Sequence, residues 1–318
     1  MSHTFDQFVR FTTDAAGLER IFRLLQSIAQ ILASYTLPLE CLLFLLAFVP
    51  ASSSSPAGNP PDAAAARAVL FGLRTKLNLA RRHFRLFRSL ESFGAAQKLY
   101  SSLSSPPTSS SPAPAPAPAA MGSRRAVWIE VFGRTFNGMY LLLEASTFLD
   151  ALGVDGLAPW GPERGATLAV EGQRFWLFSL ACGALAGLVR IADVLASAPA
   201  AAAPDATTDG SADAEGQDGD GDLDEKTSEG EHGDSSTEKD TGEKQMDYLE
   251  WRREARSKIY MLGRRVLIDT LDITIPGSIV GWVPVSTGTV GLAMFVTTVL
   301  TSMDIWERCG REVAGSKK

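Results

Sequence analysis

Between Val69 and Leu99 apolar residues recur every three or four positions, the spacing that gathers them on one side of a helix. With Leu73 at the origin of a wheel turning about 100° per residue, Leu77, Ala80, Phe84 and Phe87 fall within about 40° of it. Arg74, Arg81, Arg85 and Arg88 gather between about 60° and 120°, with Arg82 beyond them. Leu79, Leu86 and Leu90 widen the apolar side, while Lys76 and His83 interrupt it where a long stem can snorkel. Six basic residues and no acid lie between Leu73 and Leu90. The pattern predicts a basic amphipathic helix over 69–100. Such a helix lies in a membrane interface, serves as a calmodulin-type target, or packs in a bundle.

The stretches on either side are also helical in pattern. Residues 1–50 predict a short helix, Thr4 to Thr12, then a longer one from about Ala15 to Tyr35 that Asp14 caps. The longer one places Leu18, Ile21, Phe22, Leu25, Ile28 and Leu32 at helical spacing, with Arg20 and Arg23 on its other side. Pro38 then interrupts the chain before LECLLFLLAFV, an apolar run too short to cross a bilayer alone. Residues 124–196 form apolar helices. The first, Trp128 to Leu152, is apolar on most faces but marked by Glu130, Arg134, Glu144 and Asp150, and reads as mostly buried. The second contains fifteen uncharged residues from Phe175 to Val189 and makes 175–196 a candidate membrane span. Gly183 and Gly187 in it are spaced to let two helices approach closely; a buried helix of a soluble protein is the other reading.

Residues 245–272 predict a second basic helix. After it, 273–306 is a candidate C-terminal membrane region, because Ile273 to Met303 runs 31 residues without a charge. Pro276, Pro284 and several glycines predict that it is kinked or re-entrant, and 307–318 form a tail. The fold class expected is all-α: a helical membrane-associated protein with amphipathic helices, one or two membrane-embedded helices and long disordered linkers.

Composition sharpens this. Of 318 residues, 51–68 and 101–123 are Ser, Pro and Ala tracts that read as linkers. Residues 197–244 are an acidic insert expected to be disordered. Fifteen acids and three lysines between Asp205 and Lys244 give a local charge of −12, so the overall −6 leaves +6 on the remainder. Asp218, Asp220, Asp222 and Glu229 match four positions of a calcium-binding loop, but Leu223 stands where the turn needs glycine, so no calcium site is expected. Ser228 and Ser235 each precede an acid by three residues, a spacing that acid-directed kinases use.

Cys41, Cys182 and Cys309 lie far apart without metal or disulfide spacing. The opening MSHTFDQFVRF lacks the pattern of a cleaved secretory signal and the closing GSKK does not match the tripeptide address of peroxisomal matrix proteins, so any membrane address is expected to be internal. His3, His83 and His232 complete no catalytic arrangement, and no phosphate-binding or dinucleotide fingerprint occurs. Neither an enzyme nor a cofactor or metal protein is expected. Glu144, Asp150, Asp269 and Asp272 are expected to pair with arginine or to cap helices. The Leu and Phe seam beside the arginines argues against nucleic acid as partner.

Three segments carry a family resemblance. GLERIFRLLQ (Gly17 to Gln26) is similar to the Gly-Arg-Glu-Lys-x-x-Arg-x-x-Gln opening of the peroxisomal membrane proliferation factors, the peroxin eleven family, with Arg20 in the lysine position and Leu18 where a basic residue is usual. ARRHFRLFRSLES (Ala80 to Ser92) resembles that family's arginine-rich amphipathic helix. RRVLIDTLDITIPGSIVGW, followed by GTVGLAMF and DIWER, is similar to its last basic segment and apolar terminal region. The inserts are longer than in compact members and resemble those of divergent fungal ones.

The resemblance implies a peroxisomal membrane protein that inserts its amphipathic helix into one leaflet, self-associates into a homo-oligomer and elongates the organelle. Fission by a dynamin-like GTPase and its membrane adaptor would follow. On the residues themselves, Leu73, Leu77, Phe84 and Phe87 are the expected inserting side chains. Arg74, Arg81, Arg82, Arg85 and Arg88 are the expected contacts to anionic lipid headgroups. The alternative is a peroxisomal membrane pore or metabolite channel with Arg190 and Asp193 along its path; a soluble helical scaffold is a third reading.

Overall fold

The computed structural model describes residues 3–47, 62–104, 118–154, 156–198 and 235–315. Among them every regular element is helical. The calcium-loop frame, Ser228, His232 and most of the Ser, Pro and Ala tracts lie outside these residues.

Helices α1 (His3–Thr13) and α2 (Ala15–Ser34) meet at Asp14, whose carboxylate accepts the Gly17 backbone N–H at 3.3 Å and so caps α2 as expected. At Tyr35 the chain is extended, and α3 (Thr36–Ala47) leaves at 103°. Pro38 sits in the first turn of α3, where a missing N–H costs no helical bond. Helix α4 (Ala63–His83) begins inside the tract expected to be linker, because Asp62 accepts the Ala64 N–H and caps it. The basic segment expected as one rod is two helices. Residues 84–87 are turns, and α5 (Arg88–Ser104) follows.

Helix α6 (Pro118–Ser146) also begins within the expected linker, and the five-residue α7 (Phe148–Leu152) follows it. Asp150 then accepts the backbone N–H groups of Trp160 and Gly161 at 3.1 and 3.0 Å, fixing the start of α8 (Gly161–Ala196). Helix α9 (Ser235–Asp272) takes in the last ten residues assigned to the acidic insert. The uncharged run after it is not one helix. Short α10 (Thr274–Val280) ends at Gly281, whose φ of 82° is left-handed, and α11 (Thr287–Gly315) starts beyond Pro284.

Seven helices succeed one another around a closed ring: α4 packs on α2, α2 on α11, α11 on α9, α9 on α8, α8 on α6 and α6 on α5, which the turn joins back to α4. Gly183 and Gly187 serve the contact of α8 with α9. A Cβ on Gly183 would sit 2.5 Å from Asp269 Oδ2, and one on Gly187 would sit 2.4 Å from Val266 Cγ2. The close approach anticipated for this glycine pair is therefore made within the chain. Between α6 and α8, Tyr140 stacks on Trp176 at 5.3 Å and Phe136 on Phe175 at 6.2 Å.

The ring is inverted relative to a water-soluble bundle. Helix α2 buries Glu19, Arg23, Gln26, Ser27 and Gln30 and leaves Leu25 and Ile28 exposed. Helices α8 and α11, with 36 and 29 residues, are long and apolar enough to cross a membrane. Only 17% of the most apolar window of α8 is buried, which leaves Phe178, Leu185 and Leu188 outward. In water that surface would be an aggregation site, whereas a bilayer core would satisfy it.

Candidate functional site

The arginine corner formed by α4, the turn and α5 is built against α2 and α6. Phe84 stacks on Phe22 of α2 at 5.8 Å between ring centroids. Beside it Arg81 donates to Glu19 Oε1 at 3.0 Å through Nη2 and to Gln26 Oε1 at 2.8 Å through Nη1. Arg85 reaches the other way, donating to Tyr140 Oη at 3.1 Å and Glu144 Oε1 at 2.9 Å, both on α6. The corner bends because residues 84 and 85 are drawn in opposite directions. Its backbone tightens accordingly, with Arg85, Arg88 and Leu90 each donating to the carbonyl three residues back.

The side chains expected at lipid divide in two. Leu73, at 47% exposure, and Phe87, at 79%, face outward, joined by Leu90. Leu77 is buried and Phe84 is half-buried on Phe22. Of the arginines, Arg81 and Arg85 are buried in ion pairs rather than displayed. Arg82 lies 3.8 Å from Glu144, Arg88 is exposed 3.7 Å from Glu91, and Arg74 is partly covered. Helical spacing alone groups Arg81 and Arg85 with the exposed face; acids on α2 and α6 turn them inward.

A second buried cluster joins α2, α9 and α11. Arg23 donates to Asp272 Oδ1 at 2.6 Å and to Thr297 Oγ1 at 3.1 Å, while Thr297 donates to the same carboxylate oxygen at 2.6 Å. Burial alone would raise the Glu19 carboxyl, but Arg20, Arg81 and Arg85 outweigh it and hold the group down at about 2. Asp269 is the opposite case. Burial, helped by Asp272 and only partly countered by Arg265, pushes it up to about 6, and its Oδ2 is buried without a hydrogen-bond partner.

These clusters line a cavity of about 1110 Å³ at the centre of the ring, with Arg190 and Asp193 of α8 on its wall. Arg190 also pairs with Glu130 of α6, which accepts from Arg134 at 2.8 Å. Among the described residues no three of His, Cys, Asp and Glu come together as a metal site.

An all-helical ring with charges inside, apolar side chains outside and two helices of crossing length defines a membrane-type helical bundle. More narrowly, the chain belongs to the peroxisomal biogenesis factor 11 (PEX11) family, whose model matches residues 58–306. The match takes in the arginine corner, all of α8 and α11 as far as Trp306, and begins after α3. No curated protein and no solved structure matches the chain. Membership makes it a peroxisome biogenesis and proliferation factor.

Proposed function

We propose that the chain elongates the peroxisomal membrane before fission by holding the arginine corner against one leaflet. Helices α8 and α11 supply the anchorage. The observation that carries the reading is the outward placement of Leu73, Phe87 and Leu90 on a corner that also presents Arg74, Arg82 and Arg88 toward its surface. In the packed ring Leu73 and Phe87 are the inserting side chains, with Arg74, Arg82 and Arg88 at headgroups. Leu77, Phe84, Arg81 and Arg85 hold the corner in shape, and reach lipid only if α4 leaves α2. A wedge in one leaflet expands it and favours curvature, and each basic residue near an anionic surface contributes about 1 kcal/mol. Self-association into a homo-oligomer and recruitment of a dynamin-like GTPase with its adaptor complete the reading by family likeness.

The test is elongation of peroxisomes, and tubulation of anionic vesicles, by the full chain with Leu73→Glu and Phe87→Glu. Both activities are expected to fall severalfold while the protein stays membrane-bound after carbonate extraction. Unchanged tubulation would overturn the wedge.

One observation favours a second reading, a metabolite pore. Arg190 and Asp193 line the central cavity, and the ring around it is polar inside and apolar outside. Conductance in planar bilayers that persists in Phe87→Glu and changes with Arg190→Gln would support it.

A further inference from the structure

A second cavity, of about 350 Å³, adjoins the central one. The wall helices all order the two in the same sense. Along α2, Glu19 lines the large cavity and Gln30 the small one. Helix α11 runs antiparallel to α2, with Gly288 against Tyr35 and Arg308 paired to Asp14, and along it Val290 lines the small cavity and Asp304 the large. On α8 the wall passes from Gln173 in the small cavity to Arg190 in the large, and on α6 from Asn137 in the large to Glu144 in the small. The cavities therefore stand end to end along the axis of the ring.

One layer of side chains divides them. Arg23 of α2, Arg81 of α4, Arg85 of the turn, Tyr140 of α6 and Trp176 of α8 line both cavities. Tyr140, at 4% exposure, is the hub of the layer. Its Oη accepts from Arg85 Nη1 at 3.1 Å and donates to Glu144 Oε1 at 3.0 Å, and its ring stacks on Trp176 at 5.3 Å. Further round the ring Arg81 donates to Gln26 at 2.8 Å and Arg23 to Asp272 at 2.6 Å. Each of these groups reaches in from a different part of the wall, so rotation about side-chain bonds is enough to join the cavities without moving a helix. Buried ionisable groups inside a membrane bundle mark the paths of ions and polar solutes.

We infer that this layer is the gate of an axial path through the ring, that Tyr140 is the side chain holding it shut, and that ions and small polar solutes pass when it parts. The gate presupposes the pore reading above and adds what closes it. Removing the Tyr140 hydroxyl takes from Arg85 one of its two acceptors and leaves the ring on Trp176. Removing the whole side chain also takes away the stack between α6 and α8. Neither change touches Arg190 or Asp193, which line the large cavity and not the small one, so gating and permeation are separable.

Single-channel recording of the full chain in planar bilayers, with potassium chloride as the permeant salt, tests the gate. Tyr140→Phe is expected to raise the open probability at least threefold with the unitary conductance unchanged, and Tyr140→Ala to raise it at least tenfold. Tyr260→Ala, at a position 71% exposed on α9 and outside the layer, should behave as the unsubstituted chain does. Where Tyr140→Ala fails to fold, judged by helicity and by elution in detergent, Tyr140→Phe decides alone. Channels that open equally often with and without the Tyr140 substitutions, or as often in Tyr260→Ala as in Tyr140→Phe, overturn the gate and leave the pore standing. Silence of every one of these chains overturns pore and gate together.

Discussion

Arg23 and Asp272 stand 249 residues apart in the chain and 2.6 Å apart in the fold. Leaving one of two buried charges without its partner costs about 3–5 kcal/mol. Asp272→Ala should therefore lower the melting temperature in detergent steeply, and Asp272→Asn, which keeps an acceptor for Thr297, by less. Asp269 should behave in the reverse sense. The folded chain holds its proton more tightly than an unfolded one, whose carboxyl titrates near the ordinary 3.8, so ionisation destabilises the fold progressively as pH rises from about 4 through about 6. Asp269→Asn is expected to stabilise by up to about 2 kcal/mol at pH 7.5 and to give no gain at pH 4, read from melting curves at both. That Glu144, Asp150 and Asp272 would pair or cap was legible, because a carboxylate beside apolar sequence must be satisfied. Which arginine each meets was not, since the partners come from other helices.

Among the elements, the basic segment shows most clearly how local pattern and tertiary contact differ. Its apolar period is continuous through residues 84–87, and neither glycine nor proline marks the bend. The break comes from Phe22 on one side and from Tyr140 and Glu144 on the other. The α8–α9 contact was partly legible: the glycine spacing announced a close neighbour without naming it. Gly187→Val should separate the two helices, because its Cβ would meet Val266 at 2.4 Å, at a cost of about 1–3 kcal/mol. Gly263→Ala on α9 meets nothing within 4 Å and should add about 0.5–1 kcal/mol. Opposite shifts in thermal stability of the two variants check both statements. The same melting curve at similar temperature for both would contradict the packing described.

At the scale of the whole molecule the ring is organised around what faces inward. Leu185 and Leu188 of α8, 51% and 52% exposed, face lipid if the bundle is embedded. An arginine at the centre of a crossing helix costs about 2.5–3.5 kcal/mol on insertion scales. The double variant Leu185→Arg, Leu188→Arg should thus lose resistance to carbonate extraction, whereas on a water-exposed surface it would change little. The residues by themselves determined that the chain is helical, where most helices lie, and which stretches are apolar enough for a bilayer, because periodicity and hydropathy are properties of neighbours along the chain. Only the tertiary structure decided which side of each helix points inward. The charged faces of α2 and α4 turn toward one another while Leu25 and Leu73 turn out, and a wheel drawn for one helix carries no record of the acids on the next.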